Sequence, residues 1–470
     1  MINNTSISSE IIKRQINNSG IKNIGLASIR EMRKIINKIE EESGQKFIRM
    51  EMGVPGLKPP VVAMEAEIES LQSEVSSKYP DIDGIHELKY EISRFAKNFI
   101  DIEVSSRSCI PTVGSINGAF ISLMVAGRAH KKQDTVLFLD PGFPVHKQLV
   151  KMLGLKQTNF DVYNYRGEKL RDKLESFLAS ENISTILYSN PNNPSWICFT
   201  EKELQIIGEL ANRYNITVLE DLAYFAMDSR TDLSVPGKAP FQPTVARYTD
   251  NYVLLISSSK TFNYAGSRIG MMLISDKLFD ADFQDLLEYY SSSNFGHAVL
   301  FGTIYPTTAG VSHSSQYGLA AILKAVNDGK YKFTYEINEY SERAKIMKSI
   351  FCNNGFKLVY DKDEDQPLAD GFFFTVSYQG MSGEELVKAL FFHGISAISL
   401  EATGSERKEG IRACVSQVSQ NQFLELEKRL QQFHQDNNVN HKNCHILEHD
   451  AAMLAIQAAT SSNEVMLSER

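Results

Sequence analysis

Ser257-Ser258-Ser259-Lys260-Thr261-Phe262-Asn263-Tyr264-Ala265-Gly266-Ser267-Arg268-Ile269-Gly270 follows an unbroken apolar run, Tyr252-Val253-Leu254-Leu255-Ile256. Such a run predicts a strand buried on both faces. A lysine at the end of a buried strand loses hydration, which disfavours its charged form and frees the amine to attack a carbonyl. Arg268, eight positions on, can fork onto two oxygens of a phosphate dianion while Ser257 and Ser259 donate hydroxyls. Gly266 and Gly270 permit a sharp turn or a close backbone approach beside that anion. A nucleophilic lysine next to an anchored phosphate is what pyridoxal phosphate needs to form a Schiff base. Taken alone, the stretch also reads as a surface loop carrying a solvated Lys and Arg.

Buried strands and helices alternate ahead of it. Thr135 to Leu139 runs into Asp140-Pro141-Gly142-Phe143-Pro144, and Ile183 to Tyr188 into Ser189-Asn190-Pro191-Asn192-Asn193-Pro194. Ile216 to Leu219 leads into Glu220-Asp221-Leu222-Ala223-Tyr224. Between the last two, Thr200-x-x-Glu203 is a capping box that opens a helix to Tyr214. This alternation predicts an α/β fold, a mainly parallel sheet sandwiched by helices. Ligands in such sheets sit beyond the carboxyl ends of the strands. The polar clusters after these four strands all fall at such ends. Gly114-Ser115 opens a further helix of small apolar residues, whose free N–H groups and dipole suit an anion or simply mark a cap.

The chain of 470 residues has room for two domains. Residues 1–55 read as an N-terminal arm, polar to about residue 25, and a helix from Ala27 to Glu42 joining the small domain. Residues 56–328 are expected to form the large pyridoxal-phosphate-binding α/β domain of this reading, with helices near Phe283–Tyr290 and from Ser314 to Val326. Residues 329–434 read as a smaller α+β domain. It holds a helix from Phe333 to Asn353, a strand from Phe372 to Val376, a capped helix from Ser382 to His393 and short strands at Ile395–Leu400 and Ile411–Val415. A helix from Gln420 to Phe433 closes it, and residues 435–470 are expected to be a flexible tail. His441, Cys444, His445 and His449 share one helical face there, but incidental His and Cys are commoner in tails, so no metal is expected.

The net charge of −8 comes without a dense basic patch, which argues against a nucleic-acid partner. The longest apolar runs are strand-sized, and the first residues lack a secretory pattern, so neither membrane span nor export signal is expected. Five scattered cysteines suit free thiols in a reducing cytoplasm.

In chain order the motifs are Tyr79 near Gly84, Gly114-Ser115, Pro141-Gly142-Phe143-Pro144, Asn190-Pro191-Asn192-Asn193-Pro194, Asp221-Leu222-Ala223-Tyr224, Ser257-Ser258-Ser259-Lys260 with Arg268, and Ile411-Arg412. From about Gly53 to Phe433 this ordered set resembles the fold-type-I pyridoxal-phosphate enzymes, specifically class I/II aminotransferases typified by aspartate aminotransferase. The resemblance implies that Lys260 binds the cofactor covalently and then shuttles the substrate's proton. It implies that Asp221 faces the pyridine nitrogen, and that Tyr224 and Asn193 hydrogen-bond the phenolic oxygen. Gly114, Ser115, Ser257 and Arg268 would form the phosphate cup, with Ile116 adding its backbone N–H. Phe143 would stack on the ring, and Gly53 and Arg412 would take the substrate α-carboxylate. Tyr79 would reach the phosphate in the neighbouring subunit, which implies a homodimer with shared active sites. The implied activity is ping-pong transfer of an amino group from an α-amino acid to a 2-oxo acid. The same cofactor also serves lyases, decarboxylases and cyclopropane-forming synthases. A non-catalytic regulator would carry a basic helix-turn-helix ahead of this domain, and the arm here is short and not notably basic.

Three departures stand out. His146 occupies a place where many relatives carry Tyr, and Leu400-Glu401-Ala402-Thr403-Gly404 replaces the usual Pro-Gly-x-x-Phe-Gly. The segment from Tyr289 to His313, where dicarboxylate-specific members supply a second arginine, contains none. That speaks against aspartate-type specificity and leaves His297, Tyr305 and His313 as candidates for side-chain recognition.

Overall fold

The computed structural model describes residues 7–180 and 182–437. Its larger sheet has seven strands: β1 (Cys109–Thr112), β2 (Thr135–Asp140), β3 (Lys156–Asp161), β4 (Ile183–Ser189), β5 (Thr217–Leu222), β6 (Tyr252–Ser257) and β7 (Gly270–Ile274). They lie in the order β1-β7-β6-β5-β4-β2-β3. Every pairing from β6 across to β3 is parallel, whereas β7 is antiparallel to both of its neighbours. β7 alone therefore runs against the rest.

The continuous apolar runs follow from burial on both faces. Val253 and Leu255 of β6 pack with Val136, Leu187 and Leu219 in one hydrophobic cluster. Leu254 and Ile256 pack with Leu137, Ile186 and Val218 in the other. Successive strand residues point to opposite faces, so each strand feeds both cores. Each such side chain contributes roughly 1.5–3 kcal/mol by leaving water.

The reversed strand matters for what lies at the sheet edge. Gly270 pairs with both Ser257 and Thr112, so the start of β7 meets the ends of β6 and β1. Arg268, just before β7, thereby joins the edge where the other strands finish.

A smaller antiparallel sheet has the order β10-β11-β9-β8, built from β8 (Phe356–Leu358), β9 (Phe373–Tyr378), β10 (Ile398–Ser399) and β11 (Gly410–Cys414). Ile48–Arg49 pairs in parallel with Ile395–Ser396 and ties the N-terminal region to this unit.

Several expectations are corrected. Within the stretch expected to be a polar arm, Ser9–Ser19 is a helix that buries Ile12, with Ile11 and Ile16 packed partly against the same core. A few isoleucines at helical spacing suffice to dock it among the Asn and Ser. The helix expected near Phe283–Tyr290 is a short 3-10 segment, Gln284–Glu288. The last helix spans Phe423–Asn437, so residues 435–437 belong to it and not to a tail. The remainder of that tail, with His441, Cys444, His445 and His449, lies outside the described residues. β3 carries a polar, half-exposed sequence that gave no strand signal.

Candidate active site

A cavity of about 310 Å³ opens where β7 begins and its neighbours end. That volume is in the range of small-molecule pockets. Thirteen of the residues singled out from sequence line it: Gly53, Ser115, Ile116, Phe143, His146, Asn193, Asp221, Tyr224, Ser257, Ser259, Lys260, Arg268 and Arg412.

Lys260 sits in a short helix, Ser258–Thr261, that caps β6; Ser257 opens it by accepting the Ser259 backbone N–H on its hydroxyl at 3.2 Å. Ser258, Ser259 and Thr261 are buried, so the surface-loop reading does not hold. The Lys260 ammonium donates to the Gly53 carbonyl. Loss of hydration, helped by the nearby positive charges of Arg268 and Arg412, lowers its pKa to about 8. A substantial neutral fraction is thus present close to neutrality.

Asp221 lies at the end of β5 and is buried. Its Oδ1 accepts one backbone N–H, from Ala223 at 3.2 Å. Desolvation outweighs that bond and raises its pKa to about 7. His146 Nε2 stands 3.6 Å from Oδ2. Burial lowers the pKa of His146 to about 4, so it faces Asp221 as a neutral ring. His146 in turn meets Phe143 edge-on, with centroids 5.5 Å apart.

Tyr224 is buried beside Phe373 and Trp196, and desolvation raises its phenol well above the ordinary range, opposed in part by its bond with Asn193. Gly114 starts the helix Gly114–Ala126 with φ 73, and a Cβ there would lie 2.7 Å from Arg268 Nη2. Any side chain at Gly114 would fill the space between that helix start and the guanidinium. Arg268 itself has φ 50 and is anchored by a 2.9 Å bond from Nη1 to the Ala265 carbonyl.

Arg412 projects from β11 and is only 2% exposed. It donates to the Glu51 carbonyl at 2.6 Å and to Asn193 Oδ1 at 3.1 Å, and its guanidinium lies 4.4 Å from the Phe373 ring centroid. Its Nε has no partner among the described residues. Glu51, the nearby carboxylate, is engaged by Arg49 and Ser396 instead. An internal ion pair therefore does not account for Arg412, whose buried charge depresses its pKa.

Two positions expected at the cofactor, and three expected at the substrate side chain, fall outside this lining. Gly114 is one shell behind it, against Arg268. Tyr79 is 93% exposed and lines a separate cavity of about 340 Å³ together with His313. His297 packs on Phe301 and Tyr305 is exposed, so none of the three side-chain candidates reaches the Lys260 cavity of its own chain. Conversely, Ile29, Arg30 and Arg33 line the cavity, and nothing in their local sequence marks them as facing a site.

A family model described as aminotransferase class I and II matches residues 45–430. The chain belongs to this family. It is 26% identical over 402 residues to a probable aspartate aminotransferase of Methanocaldococcus jannaschii, covering 84% of this chain and 93% of the relative. It is also 26% identical over 386 residues to the LL-diaminopimelate aminotransferase of Natranaerobius thermophilus, covering 77% and 89%. Among solved structures, a Thermus thermophilus aspartate aminotransferase mutant superposes with a TM-score of 0.69 at 15% identity, covering 89% of this aminotransferase and 98% of that chain. Such a likeness establishes the shared fold. The enzyme is an aminotransferase, and its central mainly parallel sheet with a smaller C-terminal sheet is the aspartate-aminotransferase arrangement.

Proposed function

We propose that this aminotransferase binds pyridoxal phosphate in the Lys260 cavity and moves an amino group between an α-amino acid and a 2-oxo acid by a ping-pong reaction. The observation that carries this reading is one cavity holding a lysine of lowered pKa, a buried unpaired carboxylate and a buried arginine without a carboxylate partner. The donor set fits the cofactor. Lys260 would hold it through its amine, Asp221 at the pyridine nitrogen, and Asn193 and Tyr224 at the phenolic oxygen. The opening of the Gly114 helix, Ser115 and the Ile116 N–H, with Ser257 and Arg268, would take the phosphate. Phe143 would cover a face of the ring. When bound, the cofactor supplies the electron sink for breaking a bond at the substrate Cα.

The chain's own residues do the rest. Arg412 would take the α-carboxylate through the N–H groups that it does not spend on Asn193 and the Glu51 carbonyl, and Gly53 lines the same cavity. The amine of Lys260, partly neutral near pH 8, takes and returns the Cα proton. Phe372, Phe373 and Trp196 pack around Tyr224 and keep water from that wall. The names of the relatives differ in their amino acid, so they select no substrate.

The decisive assay adds single amino acids to the cofactor-loaded enzyme without any acceptor. A stoichiometric yield of the matching 2-oxo acid, with loss of the bound-cofactor absorbance, is expected. Release of carbon dioxide or of the side chain in its place would assign the enzyme to a decarboxylase or lyase.

The homodimer belongs to this proposal. Val61, Met64, Ile68 and Leu71 form an exposed apolar stripe on the helix Val61–Gln72, and the helix leads towards the exposed Tyr79. Stripes of this kind are rare on monomers, and a two-fold contact would cover both copies. Sedimentation should give a dimer that Ile68→Lys weakens together with activity. A fully active wild-type monomer would remove the shared site. No helix among the described residues is long and apolar enough to cross a membrane, and a cytoplasmic location is part of the same reading.

A further inference from the structure

The segment that joins Lys260 to Arg268 is held from outside the cavity. Tyr264, four positions from each of them, is buried, and its hydroxyl donates to the carboxylate of Glu67 on the helix Val61–Gln72. The Ser267 hydroxyl donates to the same Glu67 oxygen at 3.2 Å, and the Ser314 hydroxyl donates to the other at 3.3 Å. No ion pair engages this half-buried carboxylate among the described residues. Its own helix gives the charge no support, since Ala63, Met64, Ser70 and Leu71, three and four positions away, are all uncharged.

A glycine makes the approach possible. Gly318 lies inside the helix His313–Asn327, a place where glycine is unfavourable. A Cβ there would collide with the Tyr264 hydroxyl and would lie 3.2 Å from the Ala63 carbonyl. The missing side chain therefore leaves room for that hydroxyl where the two helices meet.

Arg268 has little else to fix it. Its side chain is exposed, and its 2.9 Å bond to the Ala265 carbonyl stays within the same segment. The backbone is left-handed at two non-glycine residues, Asn263 with φ 51 and Arg268 with φ 50. Such residues persist where the surroundings over-determine them. Asn263 is fixed by Tyr340, whose hydroxyl donates to its Oδ1 at 2.6 Å. From Tyr264 to Ser267, the side-chain hydrogen bonds among the described residues all go to Glu67.

We propose that Glu67 is a positioning residue: through Tyr264 and Ser267 it holds the backbone that aims Arg268 at the cofactor phosphate. This rests on the reading that the Lys260 cavity takes pyridoxal phosphate. Glu67 does not line that cavity, so it acts through the segment and not by touching the ligand. Hydrogen bonds onto an ionised acceptor are the stronger kind, which suits a carboxylate to the task of holding a left-handed turn.

The test titrates the cofactor-free wild type, Glu67→Ala, Glu67→Gln and Tyr264→Phe with pyridoxal phosphate and with pyridoxal, which lacks the phosphate. The bound-cofactor absorbance reports both. Glu67→Ala and Tyr264→Phe should each weaken pyridoxal phosphate by about 10- to 100-fold, the range for hydrogen bonds to charged groups, and leave pyridoxal within about threefold. Glu67→Gln keeps an acceptor oxygen and should recover most of the loss. With Arg268→Ala already in place, Glu67→Ala should weaken pyridoxal phosphate by less than about threefold more, because the contact acts through that arginine. Equal weakening of both ligands would mean a general structural role and overturns the proposal. So does unchanged affinity in Glu67→Ala and Tyr264→Phe, tighter phosphate binding by Glu67→Gln, or a full Glu67→Ala effect in the absence of Arg268. In each of these cases a wild type that binds pyridoxal phosphate leaves the reading of the cavity standing. A wild type that takes up neither ligand takes that reading down, and this inference with it.

Discussion

Lys260→Ala is expected to lower transamination by roughly 10⁴-fold or more, because one side chain serves as both covalent anchor and proton carrier. Borohydride treatment should fix the cofactor on the wild-type protein at residue 260 and leave no label on the variant. The pH dependence has a definite sign. Burial and the charges of Arg268 and Arg412 put the Lys260 pKa near about 8, below the ordinary lysine value. Only the neutral amine attacks an aldehyde, so capture of the cofactor by the cofactor-free protein should be half-maximal near pH 8 and level off roughly a unit above it. In Arg412→Ala one of the two repelling cations is gone, and that profile should move to higher pH. Normal turnover by Lys260→Ala would dismiss the mechanism outright. A capture profile that rises only near the ordinary lysine pKa would instead mean that the amine is solvated.

Much of this site could be read before any coordinates because its anchors lie at strand ends. A strand buried on both faces is a continuous apolar run, and the polar residues that close it can hardly be anything but edge residues. Asn193, Asp221 and Lys260 were legible for that reason, and the parallel order of β4, β5 and β6 brings them to one edge. Arg268 needed more, since its place depends on β7 running backwards, which no local pattern announces. Arg30 and Arg33 were illegible. Met32, Ile35, Ile36 and Ile39 are the buried residues of their helix, and that pattern identifies the face turned to the core but says nothing about what the opposite face overlooks. His146 precedes Asp221 by 75 positions, and their 3.6 Å approach is a product of packing alone. The helix Ser9–Ser19 was hidden by its Asn and Ser content, because only Ile12 among its residues is fully buried. Tyr79 poses a different problem: it is exposed and overlooks a separate cavity, so nothing within one chain bears on the role its motif implies.

Asp221→Asn should divide activity from stability. The carboxylate is buried, its neighbour His146 is neutral, and a single backbone N–H is its only described donor. Its folded pKa of about 7 lies above the unfolded value of about 3.9. The native state therefore binds the extra proton between those limits, and the group's contribution to stability is complete below about pH 4 and lost as pH rises through about 7. Above pH 7 the cofactor-free wild type carries a buried charge that costs on the order of a few kcal/mol. Asparagine has the same shape without the charge, so the cofactor-free variant should melt higher than wild type at pH 8, and the gap should close towards pH 4. Cofactor binding should reverse the order, because a protonated ring nitrogen would give Asp221 the cationic partner it lacks. Catalysis should fall by roughly 10²-fold or more when that charge is absent. Calorimetry of both proteins, with and without cofactor, across pH 5 to 8.5 checks the whole set. A cofactor-free variant less stable than wild type at pH 8 would mean that Asp221 already has a compensating cation, and its assigned place opposite the pyridine nitrogen would be wrong.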